Sequence, residues 1–266
     1  MQADFHVHSV FSGDCDAPME AQIQRALRNR LDALCFTDHL DADYPYTDVD
    51  FTLDTSKYLN ALSGLQKTYE GHIRIYRGVE LGLLPHLGNY YREYCEKYPF
   101  DFVIGSTHLT QGQDPYYPAF WENRASRACL EAFFKDTLEN IRACGCFDVY
   151  GHLDYINRYI PSGEPEFSYS DYTDLIDECL RLLISTGKGL EVNTGGYKAG
   201  LLSPNPCPDI LRRYRELGGE IITTGSDAHF AEYVGYCFDR VYGLLEECGF
   251  RYVAVFEGRK AEFVRL

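Results

Sequence analysis

Residues 2–8 read Gln2-Ala3-Asp4-Phe5-His6-Val7-His8, a short apolar strand that runs into His-x-His. Side chains of a strand alternate between its two faces, so His6 and His8 point the same way. Two imidazoles on one face of a strand end can share a metal ion. The pattern alone is a weak signal, and the rest of the chain gives it weight. The segment 31–36 gives way to Thr37-Asp38-His39, and the alternating segment 73–79 ends at Glu80. Segment 100–106 delivers His108, and segment 147–151 delivers His152. Segment 221–226 precedes Asp227-Ala228-His229. Short apolar strands thus stop repeatedly at a metal-binding side chain, as if one scaffold brought them to one place.

The stretches between these strands have helical spacing. Helices are expected over about 18–30, 55–69, 89–97, 125–144, 172–185, 209–217 and 232–248, with Asp16 as N-cap of the first. Gly189-Leu190-Glu191-Val192-Asn193 reads as another strand, and 252–256 as a last one, turned at Glu257-Gly258 into a closing hairpin over 261–264. Strand and helix alternate without a linker or low-complexity segment, which predicts a single-domain α/β fold with a parallel sheet. The polar residues fall at the C-terminal ends of the strands, where such folds place their sites. An open sheet would splay its first and last strands far apart, whereas a closed barrel brings them together. The expected fold is therefore a distorted seven-stranded (β/α)7 TIM-like barrel covering residues 1–266.

Composition narrows the function. The chain has 266 residues, of which 45% are hydrophobic and 24% charged, an ordinary globular balance. A formal net charge of −15 argues against broad binding to nucleic acid or anionic membrane. No apolar run is long enough to span a bilayer, and Asp4, His6 and His8 fall where a signal peptide would need an apolar core. A cytoplasmic location is expected. None of the ten cysteines forms Cys-x-x-Cys, so zinc-ribbon spacing is absent and reduced thiols are the expectation.

The candidate ligands are His6, His8, Asp14, His39, Glu80, His108, His152, Asp227 and His229. A single zinc takes three or four protein groups, so this set suits two or three divalent ions. Imidazole and carboxylate without thiolate favour zinc, iron or manganese. Clustered ions of this kind serve in-line displacement at phosphorus. His72 and His86 belong to no strand-end motif and read as surface histidines, and the 22 tyrosines read as packing. Asp38 and Asp154 adjoin ligands and are candidates for orienting imidazoles or for a general acid.

The motifs His6-Val7-His8, Phe36-Thr37-Asp38-His39, Gly78-Val79-Glu80-Leu81-Gly82, Gly105-Ser106-Thr107-His108, Gly151-His152-Leu153-Asp154 and Gly225-Ser226-Asp227-Ala228-His229 together resemble those of the polymerase and histidinol phosphatase (PHP) superfamily, closest to its histidinol-phosphate phosphatase branch. The resemblance runs over almost the whole chain. It implies a distorted (β/α)7 barrel with a trinuclear site. By that resemblance His6, His8, Glu80 and Asp227 hold one ion. Asp14, His39 and His229 hold a second, and Glu80, His108 and His152 a third, with Glu80 bridging. Many members have His at the position of Asp14, so this chain departs there. The loop 110–123 matches no family motif and is expected to shape the substrate pocket.

The resemblance implies hydrolysis of the small phosphomonoester L-histidinol phosphate in histidine biosynthesis. Glu80, Asp227 and His229 are the expected catalytic groups. Arg158 and Lys198 are expected to grip phosphate, with Asn193 bonding substrate or holding its turn. Two other readings stay open. One is another phosphoesterase of the superfamily, acting on nucleotides, oligonucleotides or phosphotyrosine. The other is a metal-binding module without catalysis.

Overall fold

The computed structural model describes residues 1–164 and 166–266. From the N-terminus the elements are β1 (Ala3–Val7), α1 (Met19–Arg28), β2 (Ala33–Phe36), the two-residue β3 (His39–Leu40), α2 (Thr55–Thr68) and β4 (Arg74–Gly82). Next come α3 (Gly88–Lys97), β5 (Phe102–Ser106), α4 (Ser126–Ala143), β6 (Val149–Tyr150), α5 (Thr173–Ser185) and β7 (Gly189–Asn193). The chain ends with the one-turn α6 (Gly195–Lys198), α7 (Pro208–Glu216), β8 (Ile222–Gly225), α8 (Phe238–Glu247), β9 (Tyr252–Glu257) and β10 (Lys260–Arg265).

The parallel strands follow the order β1-β2-β4-β5-β6-β7-β8, with β3 extending the line of β2 beside β4. The two ends of this sheet meet. Val7 and Ala228 form a parallel bridge, the Asp227 N–H donates to the His6 carbonyl at 2.8 Å, and the His8 N–H donates to Ala228 at 3.1 Å. A seven-stranded, nearly closed barrel results, as the sequence pattern requires.

Apolar helix faces cover the outside. In α1 the buried positions Met19, Gln22, Ile23 and Ala26 follow helical spacing, and they pack with outward-facing Leu34, Phe36 and Val7 in one core. A second, smaller core fills the lower barrel. Ala3, Phe5, Cys35, Tyr76, Phe102, Ile104 and Val149 meet Ala254, Val255 and Phe256 of the antiparallel β9–β10 hairpin, which plugs that end. Phe102 lies 5.2 Å from Phe5 and 5.0 Å from Phe256 between ring centres.

Strand β1 carries an irregularity that matters for the site. Its register with β2 shifts between Asp4 and Val7. As a result Phe5 joins the inner plug while the next residue, His6, also turns inward to Glu80.

Some boundaries differ from expectation. Pro18, not Asp16, occupies the N-cap position of α1, and no side chain caps it. Helix α8 starts at Phe238 rather than 232, because Gly235 (φ 67°) and Cys237 (φ 59°) hold the backbone in a left-handed conformation that a helix cannot contain. The Gly235 N–H instead donates to the buried Asp4 carboxylate at 2.8 Å. The expected strand over 147–151 is reduced to the two residues of β6.

Candidate metal centre

All nine expected ligands gather at the C-terminal mouth of the barrel. His6 and His8 come from β1 and its end, Glu80 from the inner face of β4, and Asp227 from just beyond β8. His6 Nε2 lies 3.0 Å from His8 Nε2 and 2.9 Å from Glu80 Oε2. Asp227 Oδ1 lies 3.4 Å from His8 Nε2 and 3.8 Å from His6 Nε2. An ion bound at about 2.0–2.1 Å in a tetrahedron holds its ligands about 3.3 Å apart, so this quartet has the spacing of one coordination shell.

Glu80 presents its other oxygen to a second group. Oε1 lies 2.9 Å from His152 Nε2 and 3.2 Å from His108 Nε2, and it accepts the Ser106 hydroxyl at 2.7 Å. The third group sits nearer solvent. Asp14 Oδ2 lies 3.0 Å from His229 Nε2 and 3.8 Å from His39 Nε2, and the His8 ring stacks between His39 and His229 at 4.4 and 4.2 Å. Burial opposes the charge on Glu80, but His6, His39 and His108 hold its carboxyl well below the usual range.

The imidazoles are prepared as ligands from behind. His6 Nδ1 meets Glu191 Oε1 at 2.6 Å, and His108 Nδ1 meets Asp41 Oδ2 at 2.6 Å. His8 Nδ1 meets the Ser12 hydroxyl at 3.0 Å, and His229 Nδ1 the Asp227 carbonyl at 3.1 Å. A proton on Nδ1 leaves each Nε2 with a bare lone pair aimed at the shared centre. Two such lone pairs 3.0 Å apart, at His6 and His8, repel unless a cation lies between them. Among the described residues the buried Nδ1 atoms of His39 and His152 have no hydrogen-bond partner, so these two rings are not held from behind in the same way. The clusters can therefore hold divalent metal.

Local backbone strain marks the same place. Asp227 (φ 55°) and His152 (φ 22°) both have positive φ without being glycine. Gly225 makes room next to them: a Cβ there would lie 2.4 Å from His6 Cβ and 2.3 Å from Glu191 Oε1.

A cavity of about 430 Å³ opens over the ligands. Arg158 lines it with a largely buried side chain and donates to Asp227 Oδ2, Asn193 Oδ1 and Asn205 Oδ1, each at 2.8 Å. Burial opposes the ionisation of Asp227, yet the guanidinium of Arg158 and the ring of His6 hold its carboxyl well below the usual range. Exposed Lys198 also lines the cavity and donates to the Asp227 carbonyl at 3.2 Å. Asn193 is fully buried, with its amide engaged by Arg158, the Gly195 N–H and Glu191, so it lies beneath Arg158. His72 and His86 are exposed and belong to none of the three groups; His86 pairs with Asp43.

Asp38 and Asp154 touch no imidazole directly. Asp38 accepts the Ser9 N–H and the Ser9 and Ser12 hydroxyls, and so acts on His8 through Ser12. Asp154 accepts from Asn157, Asn205 and the Cys207 N–H, and burial pushes its carboxyl up to about 6. Two carboxylates behind the ligands were not singled out in the sequence, Asp41 and Glu191. Asp41 stands two residues after His39. Glu191 is a buried charge in the middle of β7.

The loop 110–123 forms part of the cavity wall through Asp114, Tyr116 and Tyr117. It meets the loop 41–53, where Tyr44 donates to Asp114 at 2.8 Å and Tyr117 donates to Asp48 at 2.7 Å.

A family model described as the PHP domain matches residues 4–195. The probable histidinol-phosphatase of Clostridium acetobutylicum is 30% identical over 263 residues, covering 99% of this chain and 100% of that protein. The histidinol-phosphatase of Lactococcus lactis is 28% identical over 260 residues, covering 97% of this chain and 96% of that one. The crystal structure of histidinol phosphate phosphatase from Lactococcus lactis, complexed with zinc, L-histidinol and phosphate, superposes with a TM-score of 0.90 at 28% identity and covers 98% of each chain. Among the described residues, no helix is long and apolar enough to cross a membrane.

Proposed function

The chain belongs to the PHP domain family, and from that premise we propose that it is a metal-dependent phosphatase hydrolysing L-histidinol phosphate to L-histidinol and phosphate, a step of histidine biosynthesis. The observation that carries this reading is the convergence of nine imidazole and carboxylate donors under one cavity whose wall holds a buried arginine. The substrate follows from the similarity to histidinol-phosphatases over nearly the full length.

Three divalent ions fit the three groups of donors: His6, His8, Glu80 and Asp227; Glu80, His108 and His152; Asp14, His39 and His229. Zinc, iron or manganese suits these ligands. Such ions supply Lewis acidity, which both acidifies a water to act as nucleophile and neutralises phosphoryl oxygens. The chain does the rest. Glu80 bridges two groups and fixes their separation. Arg158 has five N–H donors and uses three nitrogens once each on Asp227, Asn193 and Asn205, so donors remain for a phosphate oxygen. Lys198 at the cavity edge adds a mobile charge. Asn193 positions Arg158. Asp227, held ionised by Arg158, is a ligand and not a proton donor. His229 at the cavity wall is likewise a ligand, with Nε2 toward Asp14 and Nδ1 toward the Asp227 carbonyl, so neither of these two expected donors is free to protonate the leaving alkoxide. Ten free cysteines suit a reducing compartment, the cytoplasm.

The test is phosphate release by metal-reconstituted protein from L-histidinol phosphate, phosphotyrosine, a nucleoside monophosphate and a short oligonucleotide, with a chelated control. Chelator-sensitive preference for L-histidinol phosphate is expected. Preference for another ester would overturn the substrate, and metal bound without any release would overturn the reaction.

A further inference from the structure

Arg158 is held by one charged partner and two neutral ones. Nη1 donates to the Asp227 carboxylate, whereas Nη2 and Nε donate to the amide oxygens of Asn193 and Asn205, each at 2.8 Å. Both asparagines are fully buried. An asparagine amide can turn either end to a guanidinium, and only its oxygen end accepts. A neutral oxygen also holds the guanidinium without cancelling its charge, which a second carboxylate in contact with it would do. The grip on a phosphate therefore depends on which way two buried amides are turned.

A buried carboxylate behind each amide fixes its turn. Asn193 Nδ2 donates to Glu191 Oε2 at 3.0 Å, and Asn205 Nδ2 donates to Asp154 Oδ1 at 2.6 Å. The backbone seats the two asparagines side by side. The Asn193 N–H donates to the Asn205 carbonyl at 2.7 Å, and the Asn205 N–H donates to the Asn193 carbonyl at 2.9 Å. Helix α6 closes over them so tightly that a Cβ on Gly196 would lie 2.9 Å from Asn205 Oδ1. Glu191 also serves the ring of His6, but Asp154 touches no imidazole. Its other oxygen, Oδ2, accepts Asn157 Nδ2 and the Cys207 N–H, each at 3.0 Å. With those two donors on Oδ2, only Oδ1 is left for Asn205, and it takes the amide by its nitrogen end.

We propose that Asp154 and Asn205 are positioning residues that act in series on Arg158: Asp154 sets the amide of Asn205, whose oxygen then holds Nε so that the remaining N–H groups of Nη1 and Nη2 meet a phosphate in the cavity. This rests on the reading of Arg158 as the phosphate grip of a phosphatase. Neither residue touches the phosphate itself, and each works through the guanidinium. Asp154 thereby gains a role that is neither the orienting of an imidazole nor proton transfer to the leaving group.

The test is binding of inorganic phosphate to the metal-loaded protein by calorimetry, with metal content measured on every sample. Arg158→Ala is expected to weaken phosphate by about tenfold or more, the scale of a hydrogen bond to a charged group. Asn205→Ala is expected to weaken it by about fivefold or more in the wild-type background. When Arg158 is already alanine, the same change is expected to cost about twofold or less, because its effect passes through that side chain. Asp154→Asn keeps the shape but not the pattern. Its amide oxygen stays with the two donors at the Oδ2 position, so its N–H₂ faces that of Asn205 and turns it over. Donor then meets donor at Arg158 Nε, and a loss of about fivefold or more is expected. A merely structural role would show as lost metal, or as an Asn205→Ala effect of equal size with and without Arg158, and either result overturns the proposal. Unchanged phosphate binding in Asn205→Ala or in Asp154→Asn does the same. Should one of these two variants fail to fold, the other decides. Full phosphate affinity in Arg158→Ala would sink the grip assigned to that arginine and this inference with it, whereas a loss there without a loss in the other two variants would sink this inference alone.

Discussion

Glu80 divides its two oxygens between two sets of imidazoles, Oε2 toward His6 and His8 and Oε1 toward His108 and His152. Glu80→Gln puts an amide N–H₂ where one set needs an acceptor. The expected result is loss of bound metal and a fall in kcat beyond the roughly 100-fold upper bound seen when only an outer partner is removed. Metal analysis and phosphate release on the same sample would check it, and full metal content with more than a tenth of wild-type kcat would refute it. Glu191→Gln is such an outer change. It replaces the charge behind His6 Nδ1 at 2.6 Å, and roughly 10–100-fold weaker metal binding is expected in a competition titration with a chromophoric chelator. Eight of the nine candidate ligands were legible because they stand at or near strand ends in recognisable motifs, whereas Asp14 lies in the loop beyond β1. Asp41 and Glu191 were not legible, because the sequence shows that an acid stands in or near a strand but not which imidazole nitrogen it faces.

At the scale of elements, the inner faces of β1, β7 and β8 meet so closely that Gly225 cannot carry a side chain. Gly225→Ala would press its Cβ against His6 and Glu191, with a stability loss of about 1–3 kcal/mol from overpacking, visible as a lower denaturant midpoint. An unchanged midpoint with full metal content would show that the strands yield there. Helices α5 and α7 are joined by Asp177 and Arg213, whose guanidinium donates to both carboxylate oxygens, at 3.0 Å to Oδ1 and 2.6 Å to Oδ2. Those bonds hold the Asp177 carboxyl below its usual value of 3.8. A depressed folded-state pKa means that the stabilisation is present above about pH 3.8 and is lost as pH falls through the lower folded value. The stability gap between wild type and Asp177→Asn should therefore be constant from neutrality to mildly acid pH and shrink below it. Denaturation curves across that range would test this, and a gap that widens in acid would contradict it. Periodicity located these helices well, because their buried faces repeat cleanly. The start of α8 was missed because two left-handed residues and the bond from Gly235 to Asp4 are tertiary facts. The phase shift in β1 was likewise invisible, since alternation alone puts His6 and Phe5 on opposite faces.

For the molecule as a whole, the closed barrel followed from where the polar residues fall and the final hairpin from its turn at Glu257-Gly258, whereas the hairpin's plugging of the lower end is a tertiary fact. Removing metal should loosen the entire barrel, because ions bind only the folded arrangement. At a free metal concentration about 100 times Kd the stabilisation is about 2.7 kcal/mol, so chelation is expected to lower Tm by about 5–10 °C. Calorimetry with and without chelator would measure this, and an unchanged Tm would mean that the donors hold their places unaided. The barrel closes where the carbonyl of His6 meets the N–H of Asp227, joining the first ligand to one of the last. This seam has a consequence for biosynthesis. On the ribosome His6 and His8 emerge early and wait for Asp227 and His229, so a nascent chain holds seven of the nine donors without a finished centre. The donor groups that draw on Asp227 and His229 would therefore reach their full complement of metal only after β8 has closed the seam.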